Sequence, residues 1–146
     1  MAQWMGSVHD RTQADVELAI ALLKAGNNLS DQKGCFNVSD INRIENNSRY
    51  IADRLNVLKY ANTIETKSWD MYGVPNVTEI TRLINNVSKI IRAYYKPVDA
   101  PDLPNTLLTF EQVNALEKNL YLIKHLIDDE ENQFRYCGTF NCGEEW

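Results

Sequence analysis

The chain has 146 residues, 44% of them hydrophobic and 24% charged, with twenty acidic against fifteen basic side chains and a net charge of -5. That length fits one domain with its own core, and that composition excludes a wholly disordered chain. The acidic balance, with Arg43, Arg49, Arg54 and Lys59 scattered instead of clustered, disfavours binding nucleic acid through its phosphates.

The longest apolar run, Leu18 to Leu23, falls far short of the roughly 20 residues a membrane span needs. The start, Met1-Ala2-Gln3-Trp4-Met5-Gly6, lacks a basic stretch followed by an apolar one, so no export is expected and assembly in a cytoplasm follows. Sequons begin at Asn28, Asn37, Asn46, Asn76 and Asn86, and without export several of them read as helix-start residues instead of glycan sites. Three cysteines, Cys35, Cys137 and Cys142, allow one disulfide at most, and reduced thiols are expected.

In chain order, Thr12 followed by Asp15 gives an acidic variant of the capping box and starts a helix over Gln13 to Lys24. Gly26-Asn27-Asn28 stops it, and a polar loop runs to Gly34. A segment then recurs three times. The first copy is Val38-Ser39-Asp40-Ile41-Asn42-Arg43-Ile44-Glu45-Asn46-Asn47, closing with Ile51; the second is Val77-Thr78-Glu79-Ile80-Thr81-Arg82-Leu83-Ile84-Asn85-Asn86, closing with Ile90. The third, Thr109-Phe110-Glu111-Gln112-Val113-Asn114-Ala115-Leu116-Glu117-Lys118-Asn119, has diverged further and closes with Ile123.

A hydroxyl residue (Ser39, Thr78, Thr109) stands near each start as the expected N-cap, with acids in the first turn where the helix dipole favours them. Apolar residues follow in a three-then-four spacing: Ile41, Ile44, Ile51, Leu55 and Leu58; then Ile80, Leu83, Val87, Ile90 and Tyr94; then Val113, Leu116, Leu120, Ile123 and Ile127. Each helix thus carries one stripe for a core. Only Ser48 interrupts the pattern, where the other copies have Val87 and Leu120. Asn46-Asn47, Asn85-Asn86 and Asn119 are expected at exposed helix edges, and Arg43 and Arg82 in weak surface ion pairs.

Thr63 to Asp70 has too much threonine and alternation for a helix, and three prolines make Pro97 to Leu108 an irregular connector. Residues 133–146 alternate aromatics with two glycines and read as an extended or hairpin arm needing a partner surface. The expected fold class is therefore mainly α: a single domain over 1–146 forming a small bundle of three to four antiparallel helices, with short extended or hairpin arms at 64–69 and 133–146. Three copies with unequal linkers do not suffice for a solenoid.

No chemistry stands out. Cys142 with His125 lacks the surroundings of a nucleophile; Cys35, Cys137, Cys142 and His125 contain only one close pair for zinc; and Asp128-Asp129-Glu130-Glu131 reads as a solvated helix end. No glycine-rich phosphate loop is present, so no catalytic residue, metal or cofactor is expected.

Asp10-Arg11-Thr12-Gln13-Ala14-Asp15-Val16, Ser39 to Asn47, Trp69-Asp70, and Phe134-Arg135-Tyr136-Cys137-Gly138-Thr139-Phe140, taken in this order, resemble small virion proteins in phages and prophages of Gram-positive bacteria. The resemblance implies a non-enzymatic structural subunit located in the virion, in the tail, the baseplate or at a fibre attachment, with a neck, collar or capsid-associated place as the alternative. Its expected partners are other virion proteins and copies of itself, through Trp4, Trp69, Phe134, Tyr136, Phe140 and Trp146. A second function class is a soluble phage-encoded adaptor or inhibitor of a host protein. A metal-dependent enzyme is the weakest.

Overall fold

The computed structural model describes residues 2–27, 34, 38–70, 73 and 75–139, with side chains up to residue 133. It contains four helices, α1 (Gln13–Lys24), α2 (Val38–Val57), α3 (Val77–Ala93) and α4 (Phe110–Thr139), and no strand among the described residues.

The helix ends follow local chemistry. At α1 the Thr12 hydroxyl accepts from the Asp15 amide while the Asp15 carboxylate accepts from the Thr12 amide at 2.9 Å, the reciprocal box expected. Gly26, at φ 78°, ends α1 with its amide on the Leu23 carbonyl and the Asn27 amide on that of Leu22. Thr109 caps α4 by the same exchange, here with Gln112. The expected caps Ser39 and Thr78 lie one residue inside their helices. At α3 the capping residue is instead Asn76, whose side chain accepts from the Glu79 amide at 3.0 Å, so one of the sequon asparagines is a helix start.

The repeat stripes meet in one core. Ile41, Ile44, Ile51, Leu55, Leu83, Val87, Ile90, Tyr94, Val113, Leu116, Leu120, Ile123 and Ile127 are all buried, and Ile80 and Leu58 pack against them half-buried. Each aliphatic side chain of this kind contributes roughly 1.5–3 kcal/mol on leaving water. Helices α2, α3 and α4 pack pairwise into a closed triangle.

The three helices are parallel, not antiparallel. Arg43, early in α2, bonds Glu117, early in α4; Arg54, late in α2, bonds Asp128 and Glu131, late in α4. Likewise Glu45 meets Arg82 near the starts of α2 and α3, and Tyr60, just past α2, meets Tyr94 at the end of α3 with ring centroids 4.9 Å apart. The stretches 58–70 and 94–109 belong to the returns that parallel neighbours require, and they run back along the bundle without regular structure. Residues 64–69 lie in the first of these, as an irregular segment. Residues 2–11, ahead of α1, run the same way between α4 and α2.

At the C-terminus the backbone stays helical to Thr139, so 133–139 continue α4 where an extended arm was expected; 140–146 lie outside the described residues.

Ser48 is fully buried on the stripe, and its hydroxyl has no hydrogen-bond partner among the described residues. Ser48→Ala removes that unmet group and is expected to raise stability by about 1 kcal/mol, read as a shift of the urea midpoint with unchanged slope. A loss of stability in this variant would mean that the hydroxyl has a partner in solution.

Candidate functional site

Five of the buried polar residues, Asn47, Asn86, Asn119, Glu45 and Glu117, fall at two repeated positions, and those at one position do the same work. Asn47, Asn86 and Asn119 share one position and are all buried. Each donates its amide to a carbonyl of an irregular segment earlier in the chain: Asn47 to Gly6 at 2.6 Å, Asn86 to Glu65 at 2.7 Å and Asn119 to Pro101 at 2.9 Å. The expectation of exposed edge residues holds for Asn85 but not for these three. The signal for their role was their recurrence at one place in all three copies.

Arg43 and Arg82 likewise share a position, and they are not surface pairs. Arg43 donates from Nε and Nη2 to both carboxylate oxygens of Glu117, at 2.6 and 3.0 Å, and Arg82 makes the corresponding pair with Glu45. Glu45 and Glu117 are themselves at equivalent positions and almost completely buried. Each carboxylate also accepts a backbone amide from the next segment, Glu45 from Lys67 at 2.5 Å and Glu117 from Val8 at 3.3 Å. Arg11 enters the second site, donating to Glu117 at 2.8 Å and to Asp40 at 3.1 Å. Asn42 and Asn114, equivalent again, each clasp one backbone residue by both its amide and carbonyl, Trp69 and Arg11 respectively.

Two of three sectors therefore carry the same set of arginine, glutamate and asparagine. In the third, Ile84 stands where the others have Glu45 and Glu117, Ala115 stands where they have Arg43 and Arg82, and Thr81 replaces Asn42 and Asn114. The bundle is an approximate threefold ring closed by two ionic junctions and one apolar junction.

The acidic stretch Asp128 to Glu131, which lies within α4, is also engaged internally. Asp128 and Glu131 hold Arg54 at 2.6 and 2.5 Å, and Glu130 accepts the hydroxyls of Tyr60 and Tyr94, each at 2.8 Å. Burial raises the Tyr94 hydroxyl above its ordinary value, and its bonds with Tyr95 and Glu130 push the same way. Burial pulls the Asp128 carboxyl up, but bonds from Lys124 and Arg54 prevail and hold it below its ordinary value. The expected solvated helix end is thus corrected to a stretch inside α4 whose Asp128, Glu130 and Glu131 are tied.

Among the described residues, no three His, Cys, Asp or Glu side chains come together as a metal would require, and no helix is long and apolar enough to cross a membrane. His125 stacks by its edge on Tyr121 at 4.3 Å between centroids, and His9 lies against the same ring at 4.7 Å. Cys35 and Cys142, and the side chain of Cys137, lie outside the described residues.

Of the expected contact aromatics, Trp4 and Trp69 are half-buried on their own core. Trp4 lies 6.0 Å from the Tyr50 ring with the Lys124 ammonium 5.8 Å above it, and Trp69 is covered in part by Lys67 at 5.7 Å. The side chains of Phe134 and Tyr136, and residues Phe140 and Trp146, lie outside the described residues.

Among the helices, α1 carries the most exposed large apolar side chains, a feature that sequence reasoning passed over. Only Ala19 of this helix is buried, while Leu18, Ile20 and Leu23 are 52%, 48% and 62% exposed. The signal was the run Leu18 to Leu23, read only for its failure to span a membrane. Apolar residues all round a short helix need more cover than one bundle face provides. Gly34 approaches α1 closely, since a Cβ there would overlap the Asp15 carbonyl. No family of known proteins matches the chain, and no curated protein or solved structure is detectably similar to it.

Proposed function

We propose that this chain is a structural subunit of a bacteriophage virion, in the tail, the baseplate or at a fibre attachment, acting by assembly with other virion proteins and with copies of itself. The observation that supports this reading is α1, a helix with three large apolar side chains exposed beside the three-helix bundle. Burying its three large side chains against a partner would contribute several kcal/mol at about 25 cal/mol per Å². The buried ion pairs and asparagine clasps support it too: the polar chemistry of the chain is spent on holding its own segments in place. The sequence resemblance to small virion proteins supplies the particle.

The test is quantitative mass spectrometry of purified particles, counting this chain against the major capsid protein, for the natural chain and for Leu18→Glu with Leu23→Glu. The natural chain is expected at a fixed, symmetry-compatible copy number. The variant is expected to be missing from particles while its stability changes by less than about 0.5 kcal/mol, since both positions are at the surface. Clean particles without the natural chain would favour a soluble adaptor or inhibitor working through the same helix.

A further inference from the structure

The approximate threefold ring leaves one helix face unfinished. On α2, Asn42 and Glu45 clasp the segment that follows that helix, through Trp69 and the Lys67 amide. On α4, Asn114 and Glu117 clasp the first segment in the same way, through Arg11 and the Val8 amide. On α3 the corresponding residues are Thr81 and Ile84, and no clasp forms among the described residues. Thr81 and Asn85 are exposed, and neither has a hydrogen-bond partner among the described residues. A groove of about 610 Å³ lies along this face, against about 460 Å³ for the recess on α2 and about 250 Å³ for that on α4. It adjoins a further recess of about 320 Å³ that shares Lys89 and Arg92.

The charge of the groove runs against that of the chain. Arg82 is occupied by Glu45 and Glu79, but Lys89 and Arg92 are exposed and form no ion pair among the described residues. Among the described residues, Glu65 is the only carboxylate lining either recess. Upstream of the two cations, Thr81, Asn85 and Ser88 offer hydroxyl and amide groups, and asparagine amides elsewhere on this bundle hold irregular backbone. We propose that the outer groove of α3 binds an extended acidic segment of a partner protein, its backbone on Thr81 and Asn85 and its carboxylates on Lys89 and Arg92. A nucleic acid fits less well: no aromatic ring among the described residues lines the groove for base stacking, and the chain as a whole is negative. This site is separate from the apolar surface of α1 and does not depend on the chain being a virion subunit.

The experiment is fluorescence anisotropy of the full chain with a short labelled peptide alternating Glu and Ser, beside a Lys-Ser peptide and a single-stranded oligothymidylate. The acidic peptide is expected to bind selectively, with affinity falling as salt rises. Lys89→Glu with Arg92→Glu should weaken it about tenfold or more, the combined effect of two lost attractions and two new repulsions. Thr81→Trp, which fills the groove without changing charge, should weaken it as well, and Lys24→Glu, on α1, should leave it unchanged. Thr81, Lys89 and Arg92 are exposed, so these variants are expected to fold, as their circular dichroism would verify. No binding of the acidic peptide, equal binding by the charge-reversed chain, indifference to Thr81→Trp, or preference for the oligothymidylate would each overturn the proposal.

Discussion

Glu117→Ala is expected to cost about 3–5 kcal/mol of folding stability, the range for removing one partner from a buried ionic group. Glu117 is 1% exposed and receives Arg11, Arg43 and the Val8 amide together. Without it, the Arg11 and Arg43 guanidinium groups lose a carboxylate that both share beside Asp40, and the first segment loses the Val8 contact while the Asn114 clasp on Arg11 remains. For a chain of this size the melting midpoint should fall by roughly 10 °C. Glu117→Gln keeps an acceptor but not the charge, and should fall between the two. Urea unfolding followed by circular dichroism checks this, with Glu79→Ala as a comparison. Glu79 bonds Lys67 and Arg82, whose hydrogen bonds hold its carboxyl below the ordinary value, and because solvent screens this site its loss should shift the urea midpoint far less. A cost for Glu117→Ala as small as that would mean that the network is replaceable by water.

The stripes were legible because a three-then-four spacing is a direct consequence of helix geometry, and it placed Ile44, Leu83 and Leu116 correctly in the core. The same spacing does not say which way neighbouring helices run. That information lay in the connectors: the stretches Thr63 to Asp70 and Pro97 to Leu108, noted only as irregular, belong to returns long enough to bring the chain back to the starting end. Asn47, Asn86 and Asn119 were misplaced because an asparagine beside a stripe is usually solvated, and burial is favourable only when a backbone group waits opposite. The waiting groups, on Gly6, Glu65 and Pro101, are far away in sequence, so composition could not reveal them. Arg43 and Arg82 share a position in the repeat, and so do Glu45 and Glu117. Pairing across copies becomes visible only once the three helices are known to be parallel and in register.

The apolar junction offers a direct test of that register. Ile84 is buried and Ala115 half-buried, at the positions where the other two junctions hold glutamate and arginine. Ile84→Glu alone places a carboxylate in the core without a partner, and is expected to cost at least about 3 kcal/mol, part of it through protonation of the new group. Ala115→Arg alone should cost less, because a long side chain at a half-buried site can carry its charge to the surface. If α3 and α4 face each other as α2 and α3 do, the double variant recreates the Arg82–Glu45 arrangement. It should then recover stability, with a coupling of about 1–3 kcal/mol in a double-mutant cycle. Costs that add to within about 0.5 kcal/mol would place the two introduced side chains out of reach of each other, and the threefold ring would be a property of the sequence repeat but not of the packing. A recovered pair would instead show the present junction to be an apolar substitute at an equivalent site, consistent with the near-neutral balance between a buried ion pair and well-packed aliphatic groups.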